Sequence, residues 1–303
     1  MRVTPKITMN TFIRNIHQQT GDILKAQQQI ASQKRINKIS DDPIGTGQVL
    51  GYRTKIAAID QYKENIDQGI TQLEFNEQNL DLASNLVQTA KRIAEDYAGS
   101  DVSPEKKQLA AFQVKDLYEQ LEALANSKLS NNYVFAGHAT DTAPFSHDAD
   151  YNSTYNGDDG KNRLMVGDNV EITIDADGRN IFQNAANGGV NLFDELKNLI
   201  DGLENADPVA GSAQIKATVT PLADARQQID DRRSEYAPVA YRLQFTDEYW
   251  DNLKPKMQDA LAEIEQADIP QTALELTNLE TAYETTLAAA AKIIQPNLMN
   301  FLK

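Results

Sequence analysis

Apolar residues recur every seventh position from Ile59 through Ile66, Leu73, Leu80 and Val87 to Ala94, with no proline before Pro104. A strict heptad keeps one apolar line turned toward a partner helix. Asp42 can cap the first free N–H groups and Pro43 suits the first helical position, so the helix starts there. Gly99 and Ser100 end it. About 50 residues at 1.5 Å each make a rod of roughly 80 Å, which suits a bundle or a fibre better than a small globule. After Ser103-Pro104-Glu105 a second helix runs to about Ser127, with Ala110, Val114, Leu117, Leu121 and Leu124 spaced by four and three. So short a connection predicts an antiparallel hairpin of helices.

The flanks are patterned differently. In residues 5–39 Ile16, Ile23 and Ile30 lie seven apart, but Thr20 and Gln27 stand where a second apolar row belongs. Such a half-polar seam predicts a helix that orders against a partner. From Asn131 the period changes to two. Arg163–Val166 and 171–175 read as strands around a Gly167-Asp168-Asn169 turn, and Asp177-Gly178 reads as another turn. Helical spacing returns at Asn191 with Leu192, Phe193, Leu196, Leu199 and Leu203, breaks at Asp207-Pro208 and resumes near Pro221. A stretch from Asp247 holds Trp250, Leu253, Met257 and Ile264, with Pro255 expected to kink or delimit it. After Pro270 a last stripe carries Leu276, Leu279, Tyr283, Ala290 and Ile293.

The expected fold is mainly α with a β-rich insertion. Both chain ends form a long antiparallel helical bundle or coiled coil, and a small β domain points outward from the middle. The boundaries expected are an N-terminal assembly helix over 1–40, a first half of the helical core over 41–131 and the insertion over 132–190. The return helices follow over 191–270 and a C-terminal assembly helix over 271–303.

Composition narrows the chemistry. Against 44 Asp and Glu the 303 residues carry 29 Lys and Arg, a net charge of −15, which disfavours nucleic acid. The signs are segregated: residues 1–39 hold one acid, Asp22, whereas the stretch 141–207 is strongly acidic. With no cysteine there is no thiol catalysis and no thiolate zinc site. His17, His138 and His147 are the three histidines, and none is spaced as a metal ligand pair. Asp148, Asp150 and Asn152 match the opening of a calcium loop, but Ser153 replaces its glycine and Asp159 its final glutamate, so a solvated turn is expected. Asn152-Ser153-Thr154 is read as a chance glycosylation match. Phosphate-binding and nucleophile-elbow motifs do not occur, and the Asp41-Asp42 and Asp158-Asp159 pairs look solvated. Asp230–Arg233 reads as a charged helix surface. No stretch is apolar enough to span a membrane and the first ten residues lack a secretory h-region, so ordinary secretory export is not expected. No catalytic residue, metal or cofactor is expected.

Ser32-Gln33-Lys34-Arg35-Ile36-Asn37 followed by Ser40-Asp41-Asp42-Pro43 resembles the N-terminal signature of the flagellin superfamily. So do Asn132-Tyr133-Val134-Phe135-Ala136-Gly137, Thr142-Ala143-Pro144-Phe145, Tyr155-Asn156-Gly157, Ile181-Phe182 and the end from Leu279-Glu280-Thr281-Ala282-Tyr283 to Phe301-Leu302. The proline after the paired aspartates is more like the hook-associated branch than like filament subunits. Two departures stand out. Relatives often have glycine where Gln33 stands, which puts a turn there in question. Pro296 interrupts a stretch that tends to be continuous helix, which predicts a shortened C-terminal helix.

The resemblance implies a structural subunit, exported unfolded by the flagellar type III route to the extracellular flagellum. It would sit at the hook–filament junction and join a hook-associated protein to the flagellin filament. Implied partners are a ring of identical subunits, the adjacent hook-associated protein, flagellin, and a cytoplasmic export chaperone on the C-terminal helix. The packing residues expected are Ile13, Ile16, Ile23 and Ile30 with Leu276, Leu279, Tyr283, Leu287 and Ile294. The motif residues are Lys34, Arg35, Ile36, Asn37, Asp41, Asp42 and Pro43, then Phe135, Ala136 and Gly137. A filament flagellin, a cytoplasmic coiled-coil adaptor with a β head, and a lectin-like or enzymatic insertion are the alternatives.

Overall fold

The computed structural model describes residues 5–99, 101–174, 177–184 and 188–299, with the side chains of 5, 6, 8 and 292–299 outside the description. Its elements in chain order begin with helices α1 (Pro5–Ser32), α2 (Pro43–Tyr97) and α3 (Pro104–Ala125). Six short strands follow: β1 (Lys128–Leu129), β2 (Asn132–Tyr133), β3 (Phe145–His147), β4 (Ser153–Tyr155), β5 (Asn162–Gly167) and β6 (Val170–Ile174). Four helices complete the chain: α4 (Gly178–Phe182), α5 (Leu192–Glu204), α6 (Pro208–Glu265) and α7 (Ile269–Met299). The protein is mainly helical, its N- and C-terminal helices pair, and the small sheets are central. It divides into two compact units, Met1–Ala58 with Asn252–Lys303, and Ile59–Asp251.

In the unit Ile59–Asp251 the heptad row of α2 is the spine of the core: Ile59, Ile66, Leu73, Leu80, Val87 and Ala94 are all buried. Ile215, Leu222, Ile229, Tyr236 and Leu243 of α6 are also buried and also seven apart. The two helices run antiparallel. Lys63 Nζ lies 3.0 Å from Asp247, Arg233 reaches Glu77 at 2.7 Å and Asp81 at 2.8 Å, and Ser84 Oγ donates to Asp230 at 2.9 Å. The Asp230–Arg233 cluster is therefore an interhelical hub rather than a bare charged surface.

The expected break at Asp207-Pro208 separates α5 from α6, but α6 starts there rather than near Pro221 and is not delimited at Pro255. Pro208 opens the helix, with Asp207 Oδ1 accepting the Val209 N–H at 2.9 Å, and the helix continues through Pro221 and Pro255 to Glu265. An interior proline costs roughly 3 kcal/mol. Each fully buried aliphatic on the row returns roughly 1.5–3 kcal/mol, so side-chain packing outweighs the broken backbone ladder.

The β material forms three separate antiparallel two-stranded hairpins. In the β5–β6 hairpin Gly167 pairs with Val170 around Asp168-Asn169, and Asn169 takes φ 59°; Asp175, assigned to the second strand, lies outside the described residues. Asp177-Gly178 is not a hairpin turn: Asp177 caps α4, its Oδ1 accepting the Arg179 N–H at 2.9 Å. Phe135, Phe145, Phe182 and Phe193 join these elements in one buried cluster, ring centroids 5.2–6.2 Å apart. Asn126 fastens β3 to α3, donating to the Phe145 carbonyl at 2.8 Å and accepting its N–H at 2.9 Å.

Candidate assembly interface

In the unit built from the chain ends, α1 packs antiparallel on α7, and Gln19 Nε2 donates to Thr286 Oγ1 across the seam at 3.1 Å. Ile16, Ile23 and Ile30 on α1 and Leu276, Leu279 and Tyr283 on α7 are half-buried. Ile13 and Leu287 are exposed, and the Ile294 side chain lies outside the described residues. Ala290 of the expected stripe is buried, and so are Ala26 and Thr272, which spacing did not single out. Small residues there let two backbones approach, a role that counting large aliphatics overlooks. A polar cleft of about 480 Å³ opens along the seam, lined by Asp22, Lys25, Gln29, Arg35, Gln271 and Glu275 among others.

The α1–α2 turn gathers the whole first motif. Gln33 bends the chain with φ 59°, so the turn forms without the glycine usual there. It is held on the α6–α7 junction: the Arg35 N–H donates to the Glu265 carbonyl at 2.7 Å and the Ala267 N–H to the Gln33 carbonyl at 3.1 Å. The buried Glu265 carboxylate receives Lys34 Nζ at 2.7 Å and the Arg53 guanidinium. Arg35 also donates to the Ile264 carbonyl at 2.9 Å and to Asp42 at 3.3 Å. Nothing in the spacing marked Glu265, since one acid in a helical run carries no signal of its partners.

The paired aspartates divide the work. Asp41 Oδ2 accepts the N–H groups of Asn37 at 3.1 Å and Lys38 at 2.9 Å, and Lys25 Nζ stands 3.4 Å from its other oxygen. Burial pushes the Asp41 carboxyl up, but those N–H groups and Lys25 outweigh it and hold the group below the usual carboxylate range. Asp42 caps α2 through the Gly45 N–H at 2.8 Å; that bond first, then Arg35, lowers its carboxyl as well. Ile36 is buried under the turn, and Pro43 takes the first position of α2. At the other end Pro296 does not shorten α7, whose helix runs to Met299.

The second motif lies in the other unit. Phe135 and Ala136 are fully buried, and Gly137 turns the chain with φ 67°. A Cβ at Gly137 would stand 2.2 Å from Asp158 Oδ1 and 2.4 Å from its carbonyl, so this corner requires glycine. Asp158 in turn accepts the His138 and Gly160 N–H groups at 2.7 and 2.8 Å, which lowers its carboxyl. Asp148 is occupied in the same way by the Asp150 and Asn152 N–H groups, both at 2.9 Å, closing the β3–β4 turn. Among the described residues no group of three or more His, Cys, Asp or Glu could hold a metal ion, and no helix is long and apolar enough to cross a membrane.

Among the described residues, the unit of the chain ends buries four apolar side chains, Ala26, Ile36, Val49 and Ala290. It leaves Ile7, Met9, Ile13, Leu24, Ile39, Ile44, Leu50, Leu274 and Leu287 exposed, with Ile44 78% exposed. These side chains lie on α1, the α1–α2 turn, α2 and α7, and nothing within the unit covers them.

Comparison with known proteins agrees with this geometry. The bacterial flagellin N-terminal helical region matches residues 4–140. Flagellar hook-associated protein 3 of Escherichia coli is 26% identical over 235 residues, 74% of this chain and 73% of the relative. A flagellin of Halalkalibacterium halodurans is 20% identical over 294 residues, 95% of this chain and 96% of that one. The solved structure of a protein assigned as a flagellar hook-associated protein of Vibrio parahaemolyticus shares the fold, with a TM-score of 0.67, 20% identity, and coverage of 75% of this chain and 100% of that one. The matched N-terminal region takes in both the turn clamped on Glu265 and the glycine corner at 137, so both motifs lie in the part of the chain that is similar to bacterial flagellin.

Proposed function

We propose that this protein is a structural, non-enzymatic subunit of the extracellular bacterial flagellum that joins a hook-associated protein to the flagellin filament at the hook–filament junction. The reading draws on its likeness to hook-associated protein 3. Export follows the flagellar type III route, and a cytoplasmic chaperone covers the C-terminal helix beforehand.

The observation that carries the reading is the scarcity of core in the unit of the chain ends. Four buried apolar side chains cannot offset the ordering entropy of two long helices, which is about 1–2 kcal/mol per residue for the backbone alone. Identical subunits in a ring, with the hook-associated protein and flagellin as further neighbours, supply the missing surface. Ile13 and Leu287 contribute most, because they are still exposed. Ile16, Ile23, Ile30, Leu276, Leu279 and Tyr283 add their uncovered edges.

Deleting residues 1–30 tests the mechanism. The unit Ile59–Asp251 stays folded by circular dichroism and protease resistance, while filament growth in a complemented strain stops. Continued growth refutes the interface. A filament flagellin is the second reading, favoured by the end-to-end likeness to a flagellin. Fluorescent labelling separates them: a single band where hook meets filament, against staining along the filament.

A further inference from the structure

Asn76 is 0% exposed, and neither its amide nitrogen nor its amide oxygen has a hydrogen-bond partner. Such a group is costly in a buried seam, so its presence needs a reason. Its place in the α2–α6 pairing supplies one. Beside the heptad row of large residues, α2 carries a second buried row, Gly69, Asn76, Ala83 and Ala90, again seven apart. Gly69 faces Leu243, a Cβ there falling 3.2 Å from Leu243 Cδ1. The antiparallel register then carries Asn76 onto Tyr236, Ala83 onto Ile229, and Ala90 onto Leu222. The Glu77–Arg233 ion pair and the Ser84–Asp230 hydrogen bond lie in that same register. Small residues of one helix thus meet large residues of the other in every layer, and one layer alone is polar on both sides.

Two rows of repeated aliphatics are nearly equivalent after a slip of one heptad, about 10 Å along the helix. We infer that the Asn76–Tyr236 layer is the register pin of the α2–α6 coiled coil. In the native register the buried amide and the phenol share one layer, where one internal water can bridge them. In either slipped register Asn76 is driven against Leu243 or Ile229, and the Tyr236 hydroxyl against Gly69 or Ala83. The native pairing is the one arrangement that keeps both polar groups together, and the seam gives up stability to exclude the others.

The test uses the full chain. Asn76→Ala and Tyr236→Phe convert the odd layer into a copy of its neighbours. Each alone strands the other's polar group and lowers the folding equilibrium constant. Together they recover roughly tenfold over the sum of the singles. Strictly additive singles overturn the shared layer. Because the chain has no cysteine, spin labels at Asn85→Cys and Gln227→Cys, both exposed, report the helix offset without background. After refolding, the parent shows one interspin distance and the double variant a second population from the slipped pairing. A single, unchanged distance in the double variant overturns the register role.

Discussion

Replacing Glu265 by Gln removes one charge from the junction and leaves the backbone bonds around it in place. The Glu265 side chain is 9% exposed, while its partners Lys34 and Arg53 are 46% and 48% exposed. Breaking a fully buried ion pair costs about 3–5 kcal/mol, and breaking a surface pair about 0–1 kcal/mol. One dry carboxylate held by two half-wet cations falls between, at about 1–2 kcal/mol. That corresponds to roughly 5–30-fold in a local opening equilibrium. Hydrogen exchange read by mass spectrometry is the fitting assay, because the loss is confined to one part of the chain. Peptides covering 33–46 and 260–272 exchange faster by that factor in Glu265→Gln. Peptides covering 215–243, in the other unit, keep the parent rate. Adding Lys34→Met to the variant changes little more, since its partner charge is already gone. Exchange in the turn within twofold of the parent would refute the reasoning, and so would equal acceleration in both units.

Gln33→Gly relieves a left-handed residue and raises the stability of the turn by about 1 kcal/mol, measured as slower exchange at residues 33–38. Gly137→Ala drives a methyl group into Asp158 and lowers the denaturation midpoint of the unit Ile59–Asp251 by the equivalent of about 3 kcal/mol. Leu80→Ala empties a fully buried heptad position and costs about 2–5 kcal/mol in urea unfolding. Asp41 and Asp42 have carboxyls held below their usual range, so the turn keeps its full stability above that range and loses it as pH falls through it. Two-dimensional NMR during acid titration should show the Asp41 and Asp42 carboxyls protonating below the usual carboxylate range with residues 35–45 loosening as they do, and protonation of both within the usual range would exclude the cap. Asp194 and Glu195, raised chiefly by burial, act with the opposite sign and favour the folded α5 as pH falls.

Heptad spacing from Ile59 to Ala94, the cap at Asp42-Pro43, the hairpin turn at Asp168-Asn169 and the half-polar seam at Ile16, Ile23 and Ile30 are local properties. Each depends on residues a few positions apart, and so the sequence by itself determined the long α2 helix, the β-containing middle and chain ends poor in core. The family motif was legible too, although not what it does. Tertiary structure alone decided that Lys34 and Arg53 converge on Glu265, more than 200 residues away, because no periodicity links an acid to distant cations. It also decided that Gln33 takes a glycine's conformation and that α6 runs unbroken through its prolines. In both places packing against other helices repaid a local penalty larger than any neighbour in the sequence could offset.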